Sequence, residues 1–192
     1  MPRSGQRTRE TILDAAYELF YRRGYARVGV DDVAGHAQVT KRTLYNHFSS
    51  KDALLAGVLD RHHALAVERI ARWSKRLPHE PRAMLRALFA ELAGWASRPR
   101  WSGAGFTRLV MELADLPGHP ARAIARRHKA VVEAWLAGEF SRRRLAAPQE
   151  RARQVMLLLE GCQIMMLIAG DRRYATSAAK AALRLFEMQL TR

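Results

Sequence analysis

The distribution of proline limits how this chain can fold more than any other feature of its sequence. Of the seven prolines in 192 residues, none lies between Pro2 and Pro78. Proline interrupts helices and is common just beyond their ends, so each later proline marks a turn between helices. The sequence predicts such turns at 77–81, 97–103, 115–120 and 145–148, with a further turn at AGDRR, 169–173.

Between these turns, apolar residues recur at the spacing of amphipathic helices. Alanine and leucine number 32 and 23, whereas valine, isoleucine and threonine together number 22, a balance that favours helix over sheet. We therefore predict an all-α fold of about nine helices. Three short helices come first, ending near residues 23, 37 and 47; the longer ones cover about 51–76, 81–97, 103–114, 119–143, 148–169 and 174–190.

The chain is strongly basic, with 33 Lys+Arg against 18 Asp+Glu and a formal net charge of +15. This favours a polyanionic partner. The excess is not confined to one arm, however, because residues 1–51 hold nine basic and five acidic side chains and residues 52–192 hold 24 and 13. Arginine outnumbers lysine 28 to 5, a bias that genome base composition also produces. Charge alone therefore leaves the function open.

Composition and segment lengths exclude several classes of protein. The single cysteine, Cys162, excludes an intramolecular disulfide framework and a multi-cysteine zinc site. No apolar stretch follows the charged N-terminal residues, so no secretory signal is visible. The longest apolar region, Val155–Gly170, is broken by Glu160 and Gln163 and is too short to span a bilayer as one helix. We expect a soluble cytoplasmic protein with no membrane partner.

The segment Val28–Lys51, VGVDDVAGHAQVTKRTLYNHFSSK, has the pattern of a short helix, a tight turn and a second short helix. This is a helix-turn-helix, at about 29–48, whose second helix can enter a DNA major groove. Thr40 is a good N-cap for that helix and would be followed in its first turn by Lys41, Arg42 and Thr43. Such residues reach base edges, and arginine suits guanine O6 and N7.

The remaining residues of the second helix divide between two faces. Leu44 and Phe48, four residues apart, are expected to face inward against Val33 and Val39. The side chains that then project outward or sideways are hydrogen-bond donors suited to phosphate, namely Tyr45, Asn46 and His47, with Lys51 opening the next helix. Alternatives to DNA contact stay open. The second helix could be an ordinary solvated polar helix, Tyr45 could lie in the core, and His47 could be a packed surface residue. The N-terminal arginines could contact DNA or belong to a frayed tail; they are Arg3, Arg7 and Arg9.

At these residues the sequence resembles the TetR family of bacterial transcriptional repressors. The match covers about residues 7–60, through RTRETILDAAYELFYRRGY, GVDDVA and VTKRTLYNHFSSKDALL. The resemblance implies groove and backbone contacts by Thr43 and Tyr45 and phosphate contacts by His47 and Lys51. It also implies that the base contacts that vary among members fall at Lys41, Arg42 and Asn46. Two departures from the family pattern are visible. Gln38 stands where the family usually has a turn glycine, and Gly29 stands where threonine usually caps the second helix of the chain, which is the first of the helix-turn-helix.

The resemblance also implies a DNA-binding domain at 1–50 and a ligand-binding and dimerisation domain at 51–192. Members bind a DNA operator, dimerise through their last two long helices and respond to a small molecule. Here those helices are 148–169 and 174–190. The first is apolar almost all round, as a helix packed on more than one side should be. The second is predicted to carry small residues on its surface that permit close helix approach, namely Ala178, Ala179, Ala181 and Ala182. The alternative is that this apolar excess fills only the domain's own core.

Large, soft side chains in the middle helices are the candidates for a ligand pocket, although each such residue more often belongs to an ordinary core. Glu160 in an apolar helix needs a partner, which could be a cationic ligand or, as we favour, an arginine on 119–143. Cys162 is expected to be a buried small residue rather than a redox sensor. The predicted ligand-binding residues are Trp73, Phe89, Trp95, Phe106, Met111, Trp135, Glu160 and Met165.

A small helical enzyme or metal-binding protein is the rival class. The seven histidines contain no H-E-x-x-H motif and no pair four residues apart, and no G-x-S-x-G, P-loop or dinucleotide motif occurs. We therefore expect no enzyme, no cofactor and no metal site. An architectural nucleic-acid-binding protein would explain the charge but would leave the large C-terminal segment without a purpose.

Overall fold

The computed structural model describes residues 3–99, 101, 103 and 105–187. Over these residues the chain forms nine helices and no strand. The helices are α1 Arg3–Arg23, α2 Val30–His36, α3 Lys41–His47, α4 Lys51–Ser74, α5 Pro81–Ala96, α6 Gly105–Met111, α7 Pro120–Arg142, α8 Pro148–Ala169 and α9 Arg173–Glu187. The all-α fold and the number of helices are confirmed.

The chain folds into two compact units, and the division falls within α4 and within α7. The first unit comprises residues 1–67 and 105–128, and the second comprises 68–104 and 129–192. These units differ from the predicted domains at 1–50 and 51–192, because residues 51–67 of α4 and the segment 105–128 pack with the N-terminal helices. The functional division at residue 50 stays a prediction.

The core of the first unit is built from the inward faces of its short helices. Phe20 of α1, Leu44 of α3 and Leu55 of α4 are fully buried there, and Leu109 of α6 joins them. Each such side chain contributes about 1.5–3 kcal/mol when it leaves water. This core therefore fixes α2 and α3 against α1 and α4 and so determines which of their residues stay exposed.

The core of the second unit forms where α5, α8 and α9 pack together. Phe140 of α7 and Phe186 of α9 meet edge to face at 5.1 Å inside it. Glu139 is also buried; burial opposes its ionisation, but hydrogen bonds from Arg143, Ser74 and Arg142 outweigh that effect and hold its pKa below the ordinary value. The ion pair between Arg143 and Glu139 is thus part of the core.

Three predictions about helices need correction. Helix α6 is shorter than the predicted 103–114, because residues after Met111 continue as turns. The alanines predicted to lie on the surface of α9 are divided, since Ala178 and Ala182 are buried in the chain's own core. The predicted end of the last helix, 188–190, lies outside the described residues.

The third correction concerns α8. From the sequence, a membrane span is excluded because the apolar run Val155–Gly170 is too short, but the helix itself is longer than that run. Its 22 residues are enough, by length and composition alone, to cross a membrane, and the mean hydropathy of its best window is 1.4. One face nevertheless packs on α5 and α9, with Val155, Leu159 and Met166 in the core. This packing accounts for the apolar residues on the buried face of α8 without a lipid environment.

Candidate nucleic-acid interface

The first short helix of the helix-turn-helix begins at Val30, with Gly29 as its N-cap residue, as the sequence predicts. The N–H of Gly29 donates to the Asp32 carboxylate at 2.8 Å. Acidic side chains in the first turn, Asp31 and Asp32, complement the positive end of the helix dipole. The start of α2 is therefore stabilised by its own acidic residues instead of by a capping side chain at Gly29.

The turn between α2 and α3 places Gln38 in the left-handed region, with φ of 56°. Two hydrogen bonds close the end of α2 around it, from Gln38 N–H to Gly35 O at 3.1 Å and from Val39 N–H to Ala34 O at 3.0 Å. This is the geometry in which helices usually place glycine. The departure from glycine noted in the sequence therefore carries a real strain of about 1–2 kcal/mol.

The second short helix is capped and oriented as the sequence predicts. Thr40 Oγ1 accepts a hydrogen bond from the N–H of Thr43 at 3.0 Å, the usual N-cap contact. Leu44 is fully buried and Phe48 is 4% exposed, and both pack in the same core as Val33 and Val39. The inner face of α3 is thus fixed in the core.

The outer face of α3 carries most of the predicted DNA-contacting side chains. Tyr45 is 44% exposed, which argues against a place in the core. Thr43, His47 and Lys51 are half-buried at the edges of this face. The exposed members are Thr40, Lys41, Arg42, Tyr45 and Asn46. The structure therefore brings the predicted residues of α3 together on one surface.

Lys41 has a partner that sequence reasoning missed. Its Nζ lies 2.9 Å from the Asp31 carboxylate, ten residues earlier on α2. The hydrogen bond from Lys41 to Asp31 raises the pKa of the lysine, so the amino group stays charged. Both side chains are exposed, and such pairs are worth little to stability. Arg42 is therefore a freer cation than its neighbour Lys41, since no carboxylate in the described part of the chain pairs with it.

Lys51 is held more closely than a simple surface cation. Its Nζ lies 4.2 Å from the centre of the Tyr25 ring, and partial burial lowers the pKa of the amino group. Tyr25 donates its hydroxyl hydrogen bond to Asp52, which lowers the pKa of that carboxyl group. His119 Nε2 lies 3.4 Å from the same Asp52 oxygen, and its Nδ1 accepts from the N–H of Ala121 at 3.1 Å.

The structure describes the surroundings of some of the N-terminal arginines. Helix α1 already includes Arg3, so the segment for which fraying is one of the two alternatives is helical from that residue onward. The Arg9 guanidinium lies 5.0 Å from the centre of the Phe48 ring. Arg7 is exposed on α1. Their contact with DNA stays a prediction.

The predicted ligand-binding residues are divided between the two compact units. Phe106 and Met111 lie in the first unit, where Phe106 stacks on His128 at 3.9 Å and Met111 is 64% exposed. The others lie in the second unit. Phe89 is buried in its core, and Trp73, Trp95 and Trp135 are partly buried against that core.

Glu160 and Met165 differ from these core positions. Glu160 pairs with Lys129 on α7 at 2.5 Å, so its structural partner is on the predicted segment but is a lysine, not an arginine. Met165 is 37% exposed on α8. Among the described residues, no group of three or more His, Cys, Asp or Glu side chains is arranged to hold a metal ion.

A cleft of about 380 Å³ opens in the second unit, where the ends of α5 and α8 meet. None of the eight predicted ligand-binding residues lines it. No sequence pattern singles out the polar residues of this cleft, because each lies in a turn with no motif around it. The cleft is lined by Ala96, Ser97, Arg98, Pro99, Trp101, Met166, Leu167, Gly170 and Arg172.

Comparison with known proteins assigns the family. The model of the bacterial regulatory proteins of the tetR family matches residues 12–58, which include the whole helix-turn-helix. A solved structure from Streptomyces avermitilis, assigned as a TetR-type transcriptional regulator, is 31% identical, covering 91% of this chain and 97% of that one, with a TM-score of 0.76. The chain belongs to the TetR family. This is a family of transcriptional regulators, not of enzymes.

Two further relatives of this TetR-family chain show how much of its length is similar in sequence and how much is similar in fold. The transcriptional activator FasR of Mycolicibacterium smegmatis is 47% identical over 62 residues, which are 32% of this chain and 27% of FasR. The chain thus aligns with about a quarter of that relative's length. The reduced form of Escherichia coli NemR is 22% identical, covers 91% of this chain and 95% of that one, and has a TM-score of 0.81, so it shares the fold.

Proposed function

We propose that this chain is a cytoplasmic, ligand-responsive repressor that binds a palindromic DNA operator as a homodimer. The outer face of α3 carries the proposal: Lys41, Arg42, Tyr45 and Asn46 are exposed while Leu44 on the opposite face is fully buried. A helix supported in this way can enter the major groove, where Arg42 suits guanine. Thr43, His47 and Lys51 flank that face with donors suited to phosphate.

An exposed apolar stripe on α8 supports the homodimer. Leu157 and Ile168 are 69% and 72% exposed, and Ile164 is 36% exposed between them. Gly161 is exposed on the same face, where the lack of a side chain would let another helix approach. A soluble monomer has little reason to keep such a stripe in water. A two-fold dimer through α8 and α9 would present two copies of α3 to a palindromic site.

Repression and release by a small molecule are the finer parts of the proposal. A dimer that covers a promoter blocks transcription by occupying it, whereas FasR is named as an activator, so reporter transcription must decide the sign. A ligand can release the operator only if it binds the DNA-free state more tightly, and by linkage DNA then weakens that ligand equally. The cleft between the ends of α5 and α8 offers one place for it.

An architectural DNA-binding protein is the competing function, because the net charge of +15 would attract any duplex. Selection of bound sequences from a random duplex pool separates the two. A regulator should enrich one palindromic sequence and bind it about 10³-fold or more tightly than scrambled duplex at physiological salt. Equal binding to selected and scrambled duplex would contradict the proposal.

Two arginine variants complete this test. Arg42→Ala should lower the affinity for the selected palindrome by about tenfold or more, as expected for a lost bidentate base contact. Arg86→Ala removes the same charge from an exposed position on α5 and is the matched control. If both variants lose the same affinity, the loss reflects net charge and the assignment of α3 to the groove is wrong.

A further inference from the structure

The cleft between the ends of α5 and α8 combines an apolar wall with two cations. Trp101, Met166 and Leu167 supply the wall, and Arg98 and Arg172 supply the cations. Its volume of about 380 Å³ lies at the lower end of the range of small-molecule pockets, about 300–1,000 Å³. The cleft therefore suits a molecule of roughly ten to twenty non-hydrogen atoms with an apolar body.

The apolar wall is held in place by packing. Trp101 meets Trp95 edge to face, with ring centres 5.7 Å apart. Met166 is 3% exposed and belongs to the core of the second unit. Leu167 is 43% exposed and faces Gly103, where the lack of a side chain leaves room for it. The wall thus offers an indole ring and two aliphatic side chains, a combination that fits a hydrocarbon chain or a ring.

The charge of the cleft is positive. None of its lining residues is acidic, and neither Arg98 nor Arg172 has a carboxylate partner among the described residues. The nearest acidic side chain in sequence, Asp171, is already occupied by the Arg173 guanidinium at 2.7–3.0 Å. Both guanidinium groups are therefore available to a ligand.

The helix ends at the cleft reduce this positive charge but do not cancel it. The C-termini of α5 and α8 each carry about half a negative charge, against two full positive charges on the arginines. At the end of α5, the N–H groups of Ser97 and Arg98 already occupy the carbonyls of Gly94 and Trp95. The balance of about one positive charge favours a monovalent anion.

We propose that this cleft binds a small amphipathic carboxylate, with the carboxylate between Arg98 and Arg172 and the apolar body against Trp101, Met166 and Leu167. The inference rests on the proposed ligand-responsive regulator, for which it names the chemistry and the place of the ligand. Arginine forms strong, directional, charge-assisted hydrogen bonds with carboxylates. A neutral head group would leave both positive charges uncompensated, and a cationic head group would be repelled by them.

Isothermal titration with three eight-carbon probes tests the charge preference. Octanoate, octanol and octylamine share the same apolar chain and differ in the head group alone. We expect octanoate to bind the full chain at least tenfold more tightly than octanol, and octylamine not to bind measurably. Equal binding of octanoate and octanol, or no binding of octanoate, would overturn the proposal.

Substitutions locate the site. Arg98→Gln and Arg172→Gln should each weaken octanoate binding by about tenfold or more, as the loss of one charge-assisted hydrogen bond implies. Arg86→Gln on α5 removes the same charge away from the cleft and should leave octanoate binding unchanged. An equal loss in all three variants would show attraction to net charge alone, and no loss in the two cleft variants would place octanoate elsewhere; either result overturns the site.

A spectroscopic signature checks the apolar end without relying on the arginine variants. Bromine quenches indole fluorescence at contact, so 8-bromooctanoate should quench the protein's tryptophan emission, and Trp101→Phe should abolish most of that quenching. Quenching that survives this substitution would contradict the assignment. The proposed function is tested separately, by measuring the selective binding of the wild-type chain to its palindrome without any carboxylate. The two assays are independent, so either proposal can fail without the other.

Discussion

The ammonium group of Lys51 lies 4.2 Å from the centre of the Tyr25 ring, and the hydroxyl group of that tyrosine donates to Asp52. The side chain proposed to hold a DNA phosphate is therefore positioned by a residue of the α1–α2 loop. Asp52 also faces the buried His119, which caps the N-terminus of α7. The start of α4 is thus a meeting point for three segments that are distant in the sequence.

The hydrogen bond from Tyr25 gives the first prediction, which concerns pH-dependent stability. It lowers the pKa of Asp52, so the ionised carboxylate stabilises the folded state at a pH above its unfolded value of about 3.9. That contribution is lost as the pH falls through the lower folded value. Because the Asp52 side chain is 56% exposed, we expect Tyr25→Phe to cost only about 1 kcal/mol at pH 7.

Urea unfolding of wild type and Tyr25→Phe between pH 3 and pH 8 measures this effect. The difference in unfolding free energy should be largest near neutral pH and should shrink below about pH 4. Tyr45→Phe is the control, because the exposed Tyr45 makes no hydrogen bond recorded among the described residues. A Tyr25→Phe difference that stays constant over the whole range would contradict the role of the Asp52 charge.

The second prediction separates base contact from phosphate contact on the proposed DNA surface. Lys51→Ala should weaken binding to the selected palindrome and to scrambled duplex alike, and should reduce the slope of log K against log salt by about one unit. Arg42→Ala should cost about 1–3 kcal/mol on the palindrome and relax the preference at one symmetric pair of base positions. Fluorescence anisotropy over a salt series measures both.

In a dimer, each substitution removes a contact at both half-sites of the palindrome, so the loss of binding free energy is larger than for one contact. The loss per dimer can approach twice the value for one contact when the two half-sites are independent. If both variants stay folded and bind the palindrome as tightly as wild type, α3 is not the groove-entering helix.

The helix-turn-helix could be predicted from the sequence because its determinants are local. The N-cap at Thr40 and the inward face of Leu44 and Phe48 follow from residue types within a few positions of one another. The positive φ of Gln38 is instead indicated by the family resemblance, which places a turn glycine at that position. The pairing of Lys41 with Asp31 crosses the turn between two helices, and no periodic pattern signals it. The family model and the S. avermitilis structure confirm the family that the motif indicates.

The proposed ligand-binding surface could not be predicted in the same way. Apolar residues such as Phe89 and Trp135 have the same periodicity whether they fill a core or line a cavity, so the sequence does not separate the two. Arg98 and Arg172 lie in turns 74 residues apart and are brought to one cleft only by the packing of α5 and α8. Tertiary packing, which the sequence pattern does not encode locally, decides that surface.

The third prediction uses the strained turn. Gln38 adopts φ of 56°, a conformation that glycine adopts without steric cost. We expect Gln38→Gly to stabilise the protein by about 0.5–1 kcal/mol, less than the full strain because glycine also increases the entropy of the unfolded chain. For a chain of this size the melting temperature should rise by about 1–4 °C. Differential scanning calorimetry measures it.

Gln38→Ala is the matched control for this turn. It removes the same polar side chain but keeps the Cβ that causes the strain, so it should give no gain in melting temperature. A similar rise in both variants would show that the glutamine side chain, and not the backbone conformation, limits stability.

The fourth prediction concerns the single cysteine. Cys162 is 5% exposed, and burial raises the pKa of its thiol to about 11. The thiolate, which is the reactive form, is therefore scarce at neutral pH. We expect the native protein to react with a thiol reagent such as 5,5′-dithiobis(2-nitrobenzoate) at least 100-fold more slowly than the urea-unfolded chain. Rapid stoichiometric reaction of the native protein would contradict the buried, inert cysteine.

The last prediction tests the homodimer through the stripe on α8. Leu157 and Ile168 lie three turns apart, and with Gly161 and Ile164 they line one exposed face of the helix. A glutamate placed there would be buried without a partner in a dimer, at a cost of several kcal/mol, but would be solvated in a monomer. Ile168→Glu should therefore convert a species of about twice 21.8 kDa into one near 21.8 kDa at micromolar concentration.

Met111→Glu is the control for charge and exposure. Met111 is 64% exposed, close to the value for Ile168, but it lies on α6 in the first compact unit and outside the stripe. Light scattering should give the dimer mass for this variant and the monomer mass for Ile168→Glu. Because two linked copies of α3 bind a palindrome far more tightly than one, Ile168→Glu should also lose most of its operator affinity while keeping its helical circular dichroism. A wild-type monomer that still binds the palindrome tightly would exclude dimerisation as the basis of recognition.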